Sequence, residues 1–468
     1  MNVHEPDEQD LLISETGQSF RDSVSNIDKS GKRKRIYPMK PEGRFHRARV
    51  IVAIFLMIIF FTCPFIRIEG NPAFLFDFIE RKFTFFGILF LPQDLYIVAL
   101  ILIALAIFII LFTAILGRLW CGWACPQTIF LEMVFRKIEY LIEGSANAQR
   151  KLNESGWSVD KFLKKATKHT LFLIISFIIC NTFIAYIIGS EKLFQIISQP
   201  MSENFLGFSF MLGFFGLTYF IFANFREQFC IYLCPYGRLQ AVLIDKNSIV
   251  ISYDHIRGEP RGKQGKGKDC IDCGMCVNVC PTGIDIRNGV QLECINCTAC
   301  IDACNKVMKQ VGKPENLIKY SSQNQIEEGL KFRITPRIII YTIALLSLVT
   351  FITILVTTRS DIEATITKEK GVVYSVMESG NIANMFKATF ANKTFKNITV
   401  KMKLENIKGE IKLIGIDSLN LAPNDANQCI FLVIIPGKEL QHGKNIIKVG
   451  LYSQEKKINT IKISFFSP

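Results

Sequence analysis

Five long apolar segments divide the chain into a series of polar loops. None of the five contains a charged residue, and each is close to the ~20 residues with which a helix crosses the hydrocarbon layer of a membrane. One such segment could be a helix in a soluble core, but five together predict membrane-spanning helices. The segments are Val50–Ile66, Leu95–Leu116, Thr170–Ile188, Phe205–Ala223 and Ile338–Val356.

Beyond the fifth segment the pattern changes from long runs to short apolar or alternating stretches. Gly, Asn, Asp or Pro separates them, which is typical of strands joined by turns. Seven such stretches in about a hundred residues favour a β-sandwich of the immunoglobulin type. They are Val372–Val376, Met385–Ala391, Ile398–Leu404, Ile411–Ile416, Ile430–Ile435, Ile446–Leu451 and Ile458–Phe465.

Two connections between the spans have patterns of their own. Phe74–Phe76 and Phe83–Phe86 predict either an interfacial hairpin or a half-buried segment between the first and second spans. The third and fourth spans are close in sequence, so we expect a short turn between them. Residues 140–168 are charged, and we expect a partly helical linker there.

The basic residues fall almost entirely on one side of the predicted spans. The three loops on that side contain 34 Lys and Arg, whereas the two opposite loops contain 4. Because basic loops stay in the cytoplasm, we expect the N-terminus and the cysteine-rich loop to be cytoplasmic and the sandwich to be periplasmic. The loops compared are 1–49, 118–168 and 226–336 on one side and 66–94 and 191–204 on the other.

Composition agrees with a membrane protein, since 49% of the residues are hydrophobic and the mean hydropathy is +0.27. The charge asymmetry accounts for the net charge of +14, so we expect no nucleic acid as a partner. The N-terminal 49 residues are polar and basic, which predicts a tail without a signal peptide. The predicted domains are the tail 1–49, a four-helix membrane region 50–225, a cysteine-rich domain 226–336, a fifth span 337–358 and the sandwich 359–468.

Two cysteine strings lie between residues 270 and 304. Each has the spacing Cys-x2-Cys-x2-Cys-x3-Cys, which is the spacing of a bacterial ferredoxin with two [4Fe–4S] clusters, in which the fourth cysteine of each string binds the other cluster. Zinc knuckles also use Cys-x2-Cys steps. However, a zinc site takes its four ligands from two separated pairs, which does not explain two strings that each contain three closely spaced cysteines. We therefore expect one cluster on Cys270, Cys273, Cys276 and Cys304 and the other on Cys294, Cys297, Cys300 and Cys280.

Two further cysteine pairs follow the second and fourth spans. Each pair forms the motif Cys-x3-Cys-Pro about one turn beyond a span: Cys121 and Cys125 in the first, Cys230 and Cys234 in the second. The membrane region therefore looks like an internal repeat. On one helix these cysteines would share a face, and the following proline would end that helix. Buried cysteines at a helix end are the alternative. Two copies at equal depth predict instead a four-thiolate site, for which Cu(I) and a further iron–sulfur centre are both suitable.

The remaining cysteines and the tryptophans have simpler interpretations. Cys63 and Cys180 lie inside spans, and Cys429 lies in an apolar strand; we interpret all three as packing residues. Trp120 and Trp123 are expected to anchor the membrane interface.

Several of these segments resemble one family, the cytochrome c oxidase accessory proteins CcoG, also called FixG or RdxA. The resemblance is carried by the Cys-Gly-Trp-Ala-Cys-Pro-Gln segment that ends at Gln127, Cys234–Gln240, Arg257–Gly262 and Cys294–Cys304, and it extends from the first span to the C-terminal domain. Asn305 departs from the pattern, since a proline is expected after the last cysteine, but the ligands are unaffected.

The resemblance implies a membrane-bound polyferredoxin in the inner membrane of a Gram-negative bacterium. It implies a part in assembling a cbb3-type oxidase by reducing Cu(II) to Cu(I), with the oxidase catalytic subunit and copper-delivery proteins as partners and an unknown electron donor. Cys121, Cys125, Cys230 and Cys234 then become the copper or electron-exit site. The alternatives are a quinol-oxidising conduit like the NapH proteins, which resemble only the first part of the chain, and a non-catalytic assembly scaffold.

Overall fold

The structure, a computed structural model, describes residues 35–468 except for short internal segments. The predicted tail over residues 1–49 therefore lies mostly outside the described residues. The described chain forms two compact units: one contains the residues up to Thr62 with Leu102–Ala185 and Ser190–Leu348, and the other contains Cys63–Ile101, Tyr186–Gly189 and Val349–Pro468. The internal segments not described are 69–70, 79–81, 91–93, 263–267, 330–332, 359–361, 370–372, 378–379, 393–396, 416–418, 423–425 and 454–455.

Helices make up most of the first unit. In chain order the helices of the described residues are α1 (Arg44–Thr62), α2 (Leu95–Leu116), α3 (Leu119–Trp123), α4 (Pro126–Phe130), α5 (Arg136–Ile142), α6 (Ala146–Glu154), α7 (Val159–Ile188), α8 (Ser190–Ser198), α9 (Phe205–Phe220), α10 (Pro235–Leu243), α11 (His255–Gly258), α12 (Met275–Asn278), α13 (Ala299–Gln310), α14 (Gln323–Glu327) and α15 (Pro336–Thr357).

Strands make up most of the second unit. In chain order the strands of the described residues are β1 (Arg67–Ile68), β2 (Asn71–Pro72), β3 (Phe74–Asp77), β4 (Lys82–Phe85), β5 (Ile88–Phe90), β6 (Val250–Tyr253), β7 (Ile318–Ser321), β8 (Ile362–Lys368), β9 (Ser375–Val376), β10 (Asn381–Asn392), β11 (Ile398–Leu404), β12 (Glu410–Ile414), β13 (Leu419–Leu421), β14 (Ala426–Pro436), β15 (Gly443–Ser453) and β16 (Lys456–Ser467). Of these, β6 and β7 lie in the first unit.

The prediction of five spans is confirmed. Helices α1, α2, α7, α9 and α15 are long and apolar enough to cross a membrane. Two of them begin several residues earlier than predicted. Helix α1 begins at Arg44, where the backbone N–H groups of Phe45 and His46 donate to the Asp302 carboxylate. Helix α7 begins beside Ser158, whose hydroxyl accepts from the Lys161 N–H. The expected short turn after the third span is instead the helix α8.

Buried ion pairs join helices of the first unit to each other. Glu139 on α5 pairs with Arg226, which follows the π-helical turn Ile221–Phe225, and with Lys168 on α7 at 3.7 Å. Glu143 pairs with Lys168 and Lys165 at 2.8 Å each. The predicted linker at 140–168 is therefore mostly helix, and it packs through ion pairs.

The cysteine-rich domain is closed by β6 and β7, which pair antiparallel on either side of it in sequence. Residues directly before α1 pack on this domain. The Met39 N–H donates to the Asn278 carbonyl at 2.8 Å, and Gly43 lies so close to Asp302 that a Cβ would overlap the carboxylate. The end of the predicted tail is thus folded where it is described.

In the second unit, strands β3, β4 and β5 form a three-stranded sheet, which confirms the aromatic hairpin. The C-terminal strands form a sandwich, as predicted, with sheet orders β12–β14–β10–β8 (with β9 paired to β10) and β13–β11–β15–β16. Phe386, Phe390, Phe431 and Phe465 are fully buried between the sheets, and Cys429 packs in the same core. Strands β8 and β13 were not predicted, and the stretch at 372–376 forms only the two-residue β9 where it is described.

Candidate metal centres

The two ferredoxin-type cysteine strings fold into matching loops. The first turns through positive φ angles at Asp272 (53°) and Gly274 (66°), and the second does so at the equivalent Asn296 (53°) and Thr298 (66°). A helix follows each loop, α12 in the first and α13 in the second. Turns of this kind point successive backbone N–H groups into one concave space.

Two cavities lie against these loops, and their cysteine linings differ. The first is lined by the cysteines of the first ferredoxin set: Cys270, Cys273, Cys276 and Cys304. The second is lined by those of the second ferredoxin set: Cys280, Cys294, Cys297 and Cys300, and also by Cys276. The last cysteine of each string thus reaches the cavity of the other string, as the spacing predicts.

The residues present fit [4Fe–4S] clusters. Each cavity offers four thiols, and the second is otherwise lined mainly by isoleucine side chains. Burial, together with the neighbouring thiols of its set, raises the pKa of Cys304 to about 12. This thiol is therefore protonated until iron displaces its proton. Clusters bound here would transfer single electrons.

The two sets differ in access to solvent. Each set has two buried cysteines, but Cys273 of the first set is exposed, whereas Cys280 and Cys294 of the second set are only partly exposed. An electron donor would therefore reach the first set more readily.

The two Cys-x3-Cys-Pro motifs share a local structure that differs from the predicted one. Cys125 (φ −65°, ψ 123°) directly precedes α4, and Cys234 (φ −68°, ψ 112°) directly precedes α10. The prediction that each pair lies on one helix ended by its proline was wrong. The proline instead takes the first position of a new helix, where its missing N–H costs nothing.

The predicted internal repeat is present in the backbone. Gly117 and Arg226 both have a φ of 54°, and each ends a membrane helix. In both halves the first cysteine follows four residues later, the second follows eight residues later and the proline nine. The two motifs therefore leave the membrane helices in the same way.

The four motif cysteines (Cys121, Cys125, Cys230 and Cys234) converge. The Cys230 thiol interacts electrostatically with the other three. Burial and these neighbours raise the pKa of Cys230, and burial together with Cys125 and Cys234 raises the pKa of Cys121 to about 12. Nevertheless, within the described ranges no three His, Cys, Asp or Glu side chains are arranged around one metal ion, and this holds for the two ferredoxin sets as well.

The first motif packs directly on the second ferredoxin loop. A Cβ on Gly122 would lie 2.5 Å from the Ile295 carbonyl oxygen and 2.7 Å from that of Asn296, so glycine is required at this contact. The Arg49 Nε donates to the Gly122 carbonyl at 2.6 Å, and Cys121 packs against the ferredoxin core. The motif thus adjoins the loop between Cys294 and Cys297.

Side chains from distant parts of the chain fix this contact. The Trp123 Nε1 donates to the Tyr320 hydroxyl at 3.2 Å, and that hydroxyl donates to the Asn296 carbonyl at 3.3 Å. Trp123 therefore binds within the protein, whereas Trp120 is exposed; their place at the membrane interface stays a prediction. The Arg118 guanidinium donates to the carbonyls of Leu292 and Gly237, which joins the ferredoxin loop to α10.

Two polar groups face the motif thiols. The backbone N–H groups of Gln127 and Thr128 donate to the Cys125 sulfur. Cys121 donates to the Gln240 Oε1 at 3.3 Å, and Gln240 is fully buried with no partner on its Nε2. Sequence reasoning gave no role to these residues. The one available signal was that Gln127 and Gln240 stand in the segments that carry the family resemblance.

Five apolar helices, two ferredoxin cysteine sets and a thiol site packed against them define a multi-pass iron–sulfur electron-transfer protein. Three family models agree with this class. One described as "4Fe-4S binding domain" matches residues 98–143, one described as "4Fe-4S dicluster domain" matches 225–323, and one described as "IG-like fold at C-terminal of FixG" matches 352–468.

Known proteins resemble much of the chain. It is 35% identical to RdxB of Cereibacter sphaeroides over 77% of this chain and 80% of that protein. It is 35% identical to the nitrogen fixation protein FixG of Rhizobium meliloti over 62% of this chain and 58% of FixG. It is 37% identical to RdxA of Cereibacter sphaeroides over 61% of this chain and 62% of RdxA. The chain belongs to the FixG/RdxA family.

Proposed function

We propose that this protein reduces Cu(II) to Cu(I) during assembly of a cbb3-type oxidase. The observation that carries the proposal is the contact at Gly122, where the first cysteine motif adjoins the second ferredoxin set. The site offers sulfur at the end of a chain of one-electron centres, and sulfur is the donor that Cu(I) prefers.

The stoichiometry supports copper as the substrate. A [4Fe–4S] cluster accepts and releases one electron at a time, and one electron converts Cu(II) to Cu(I). In this proposal a reduced electron carrier docks near the exposed Cys273. The four motif cysteines form the electron-exit site, and the contacts of Arg118 and Trp123 hold that site against the ferredoxin loop.

The proposed sidedness follows from the basic loops. The ferredoxin domain and the N-terminus face the cytoplasm, and the immunoglobulin-like domain faces the periplasm, in the inner membrane of a Gram-negative bacterium. The catalytic subunit of the oxidase and copper-delivery proteins are the proposed partners. The family resemblance supports this assignment of partners.

The test uses the intact protein in detergent under anaerobic conditions. The protein is reduced with dithionite and desalted, Cu(II) is added, and Cu(I) is trapped with bathocuproine disulfonate. We expect more Cu(I) from this sample than from protein that was not reduced, which corrects for copper reduction by free thiols. The variant Cys230→Ser/Cys234→Ser should lose the difference, whereas Cys429→Ser, changed in the core of the sandwich, should keep it.

Equal Cu(I) from the reduced and unreduced samples would refute the proposal. In that case, reduction of the centres by a quinol analogue would identify a quinol-oxidising conduit. Protein that neither accepts electrons from quinol nor passes them to copper would be an assembly scaffold.

A further inference from the structure

The number of cysteines exceeds what two clusters need. The match to the dicluster family at 225–323 contains ten cysteines, of which eight form the two ferredoxin sets. Cys230 and Cys234 are left over. The match to the other iron–sulfur family at 98–143 contains two cysteines, Cys121 and Cys125, although a [4Fe–4S] cluster takes four.

The two incomplete pairs complete each other in space. The Cys121 thiol donates to Gln240 on α10 at 3.3 Å, and α10 begins directly after Cys234, so the two motifs lie against each other. The interactions of the Cys230 thiol with the other three thiols agree with this. We propose that these four cysteines together ligate a third [4Fe–4S] cluster, one pair coming from each half of the internal repeat.

The arrangement of the described side chains does not favour a single copper ion. Around a single ion all ligands bind one centre, whereas each thiolate on a cube binds a different iron and lies farther from the others. In the part of the chain that the structure describes, no three ligand side chains meet around one ion. The two ferredoxin sets share this property with the four motif cysteines, so the three sites are alike in that respect.

The polar surroundings also suit a cluster. Thiolates and sulfides of iron–sulfur centres accept hydrogen bonds, and such bonds help to set their potentials. The Gln127 and Thr128 N–H groups already donate to Cys125. Gln240 has a fully buried side chain with an unpartnered Nε2 beside Cys121. With Cys121 as a thiolate, this amide can turn and donate to sulfur.

The position of the third cluster deepens the proposed function without depending on copper. The Gly122 contact places its ligand Cys121 beside the second ferredoxin loop. The three sites therefore lie in the order first ferredoxin set, second ferredoxin set and four motif cysteines. Copper would then take its electron from the third cluster instead of replacing it.

The decisive measurement is the iron and sulfide content of the intact protein, purified anaerobically and reconstituted with iron and sulfide. We expect about twelve iron atoms per chain, four for each of three clusters. The pair variants Cys121→Ser/Cys125→Ser and Cys230→Ser/Cys234→Ser should each lose about four. Cys180→Ser and Cys429→Ser change buried cysteines outside the three sites and should lose none.

A second measurement does not depend on variants that fold. Spin quantification by electron paramagnetic resonance of the fully reduced parent protein should give about three spins per chain, one for each cluster. About eight iron atoms and two spins in the parent would overturn the inference, as would pair variants that keep all their iron and lose bound copper. Three clusters in a protein that fails to reduce copper would leave the inference standing and refute only the proposed function.

Discussion

Replacing Glu139 by Gln tests whether buried charge holds the second motif in place. The Glu139 carboxylate pairs with Arg226 and Lys168, all three being buried. Arg226 stands four residues before Cys230, so this contact fixes the start of the segment that carries the second cysteine pair. The variant keeps the shape of the side chain and leaves Arg226, Lys168 and the partly exposed Arg35 without this counter-charge.

The size of the effect follows from the pKa of the carboxyl group. Burial alone would raise that pKa, but Arg226 and Lys168 overcome it and lower it from 4.5 to about 2. At about 1.4 kcal/mol per pH unit this corresponds to ~3 kcal/mol of stability at neutral pH. Breaking a buried ion pair typically costs about 3–5 kcal/mol, so the two arguments agree.

The direction of the pKa shift fixes how the stability of the protein changes with pH. Because the folded pKa is lower than the unfolded one, the stabilisation is complete above about pH 4.5 and is lost as the pH falls towards about 2. The difference between the parent and Glu139→Gln should therefore be full at pH 7 and smaller by more than half at about pH 3.

Thermal unfolding of the intact protein in detergent, followed by tryptophan fluorescence, measures this difference. We expect a Tm lower by roughly 10 °C, at about 2–4 °C per kcal/mol. Glu154→Gln, which changes an exposed residue of α6, is the matched control and should shift the Tm very little. The double variant Glu139→Gln/Arg226→Met should lose less than the sum of its single variants. Equal Tm values for Glu139→Gln and Glu154→Gln would refute the reasoning.

Four further outcomes are expected. Gly122→Ala should slow copper reduction by up to about a hundredfold without loss of iron, because its Cβ would meet two carbonyl oxygens, whereas Gly156→Ala meets nothing within 4 Å and should be neutral; equal rates would contradict the contact. An alkaline phosphatase fusion after Thr358 should be active and one after Lys313 inactive, and the opposite result would invert the topology. Phe431→Ala should destabilise the sandwich by about 3–5 kcal/mol, measured by denaturant unfolding, because the Phe431 ring is fully buried. Cells with serine at the four motif cysteines should fail in oxidase assembly mainly when copper is scarce, and a failure that added copper does not relieve would contradict a role in copper delivery.

Features whose physical cause lies within a short stretch of sequence could be predicted. The apolar segments predict the spans through length alone, and the cysteine spacing predicts which thiols share a cavity. Strand β8 was missed although Ile362, Ala364 and Ile366 alternate with polar residues, because it follows the fifth span almost directly. The helix α8 was missed because a connection of this length was expected to be a turn.

Features that depend on contacts between distant residues could not be predicted. The carboxylate that caps α1 belongs to Asp302, more than 250 residues away. The hydroxyl that holds Trp123 belongs to Tyr320, and the amide beside Cys121 belongs to Gln240. Such partners carry no local signal, since each is an ordinary polar residue until the fold buries it. The contacts around the four motif cysteines are therefore visible only in the structure.

Arg226 explains why the second half of the repeat tolerates a side chain where the first half has a glycine. Its φ of 54° and ψ of −124° form a conformation that favours glycine, and the equivalent residue of the first half is Gly117, also with a φ of 54°. A side chain in such a conformation costs about 1–3 kcal/mol. The ionised Glu139 carboxylate, which Arg226 binds together with Lys168, contributes a similar amount of opposite sign, ~3 kcal/mol. The second half can therefore keep an arginine where the geometry calls for glycine, because the guanidinium binds the carboxylate that fixes the segment leading to Cys230.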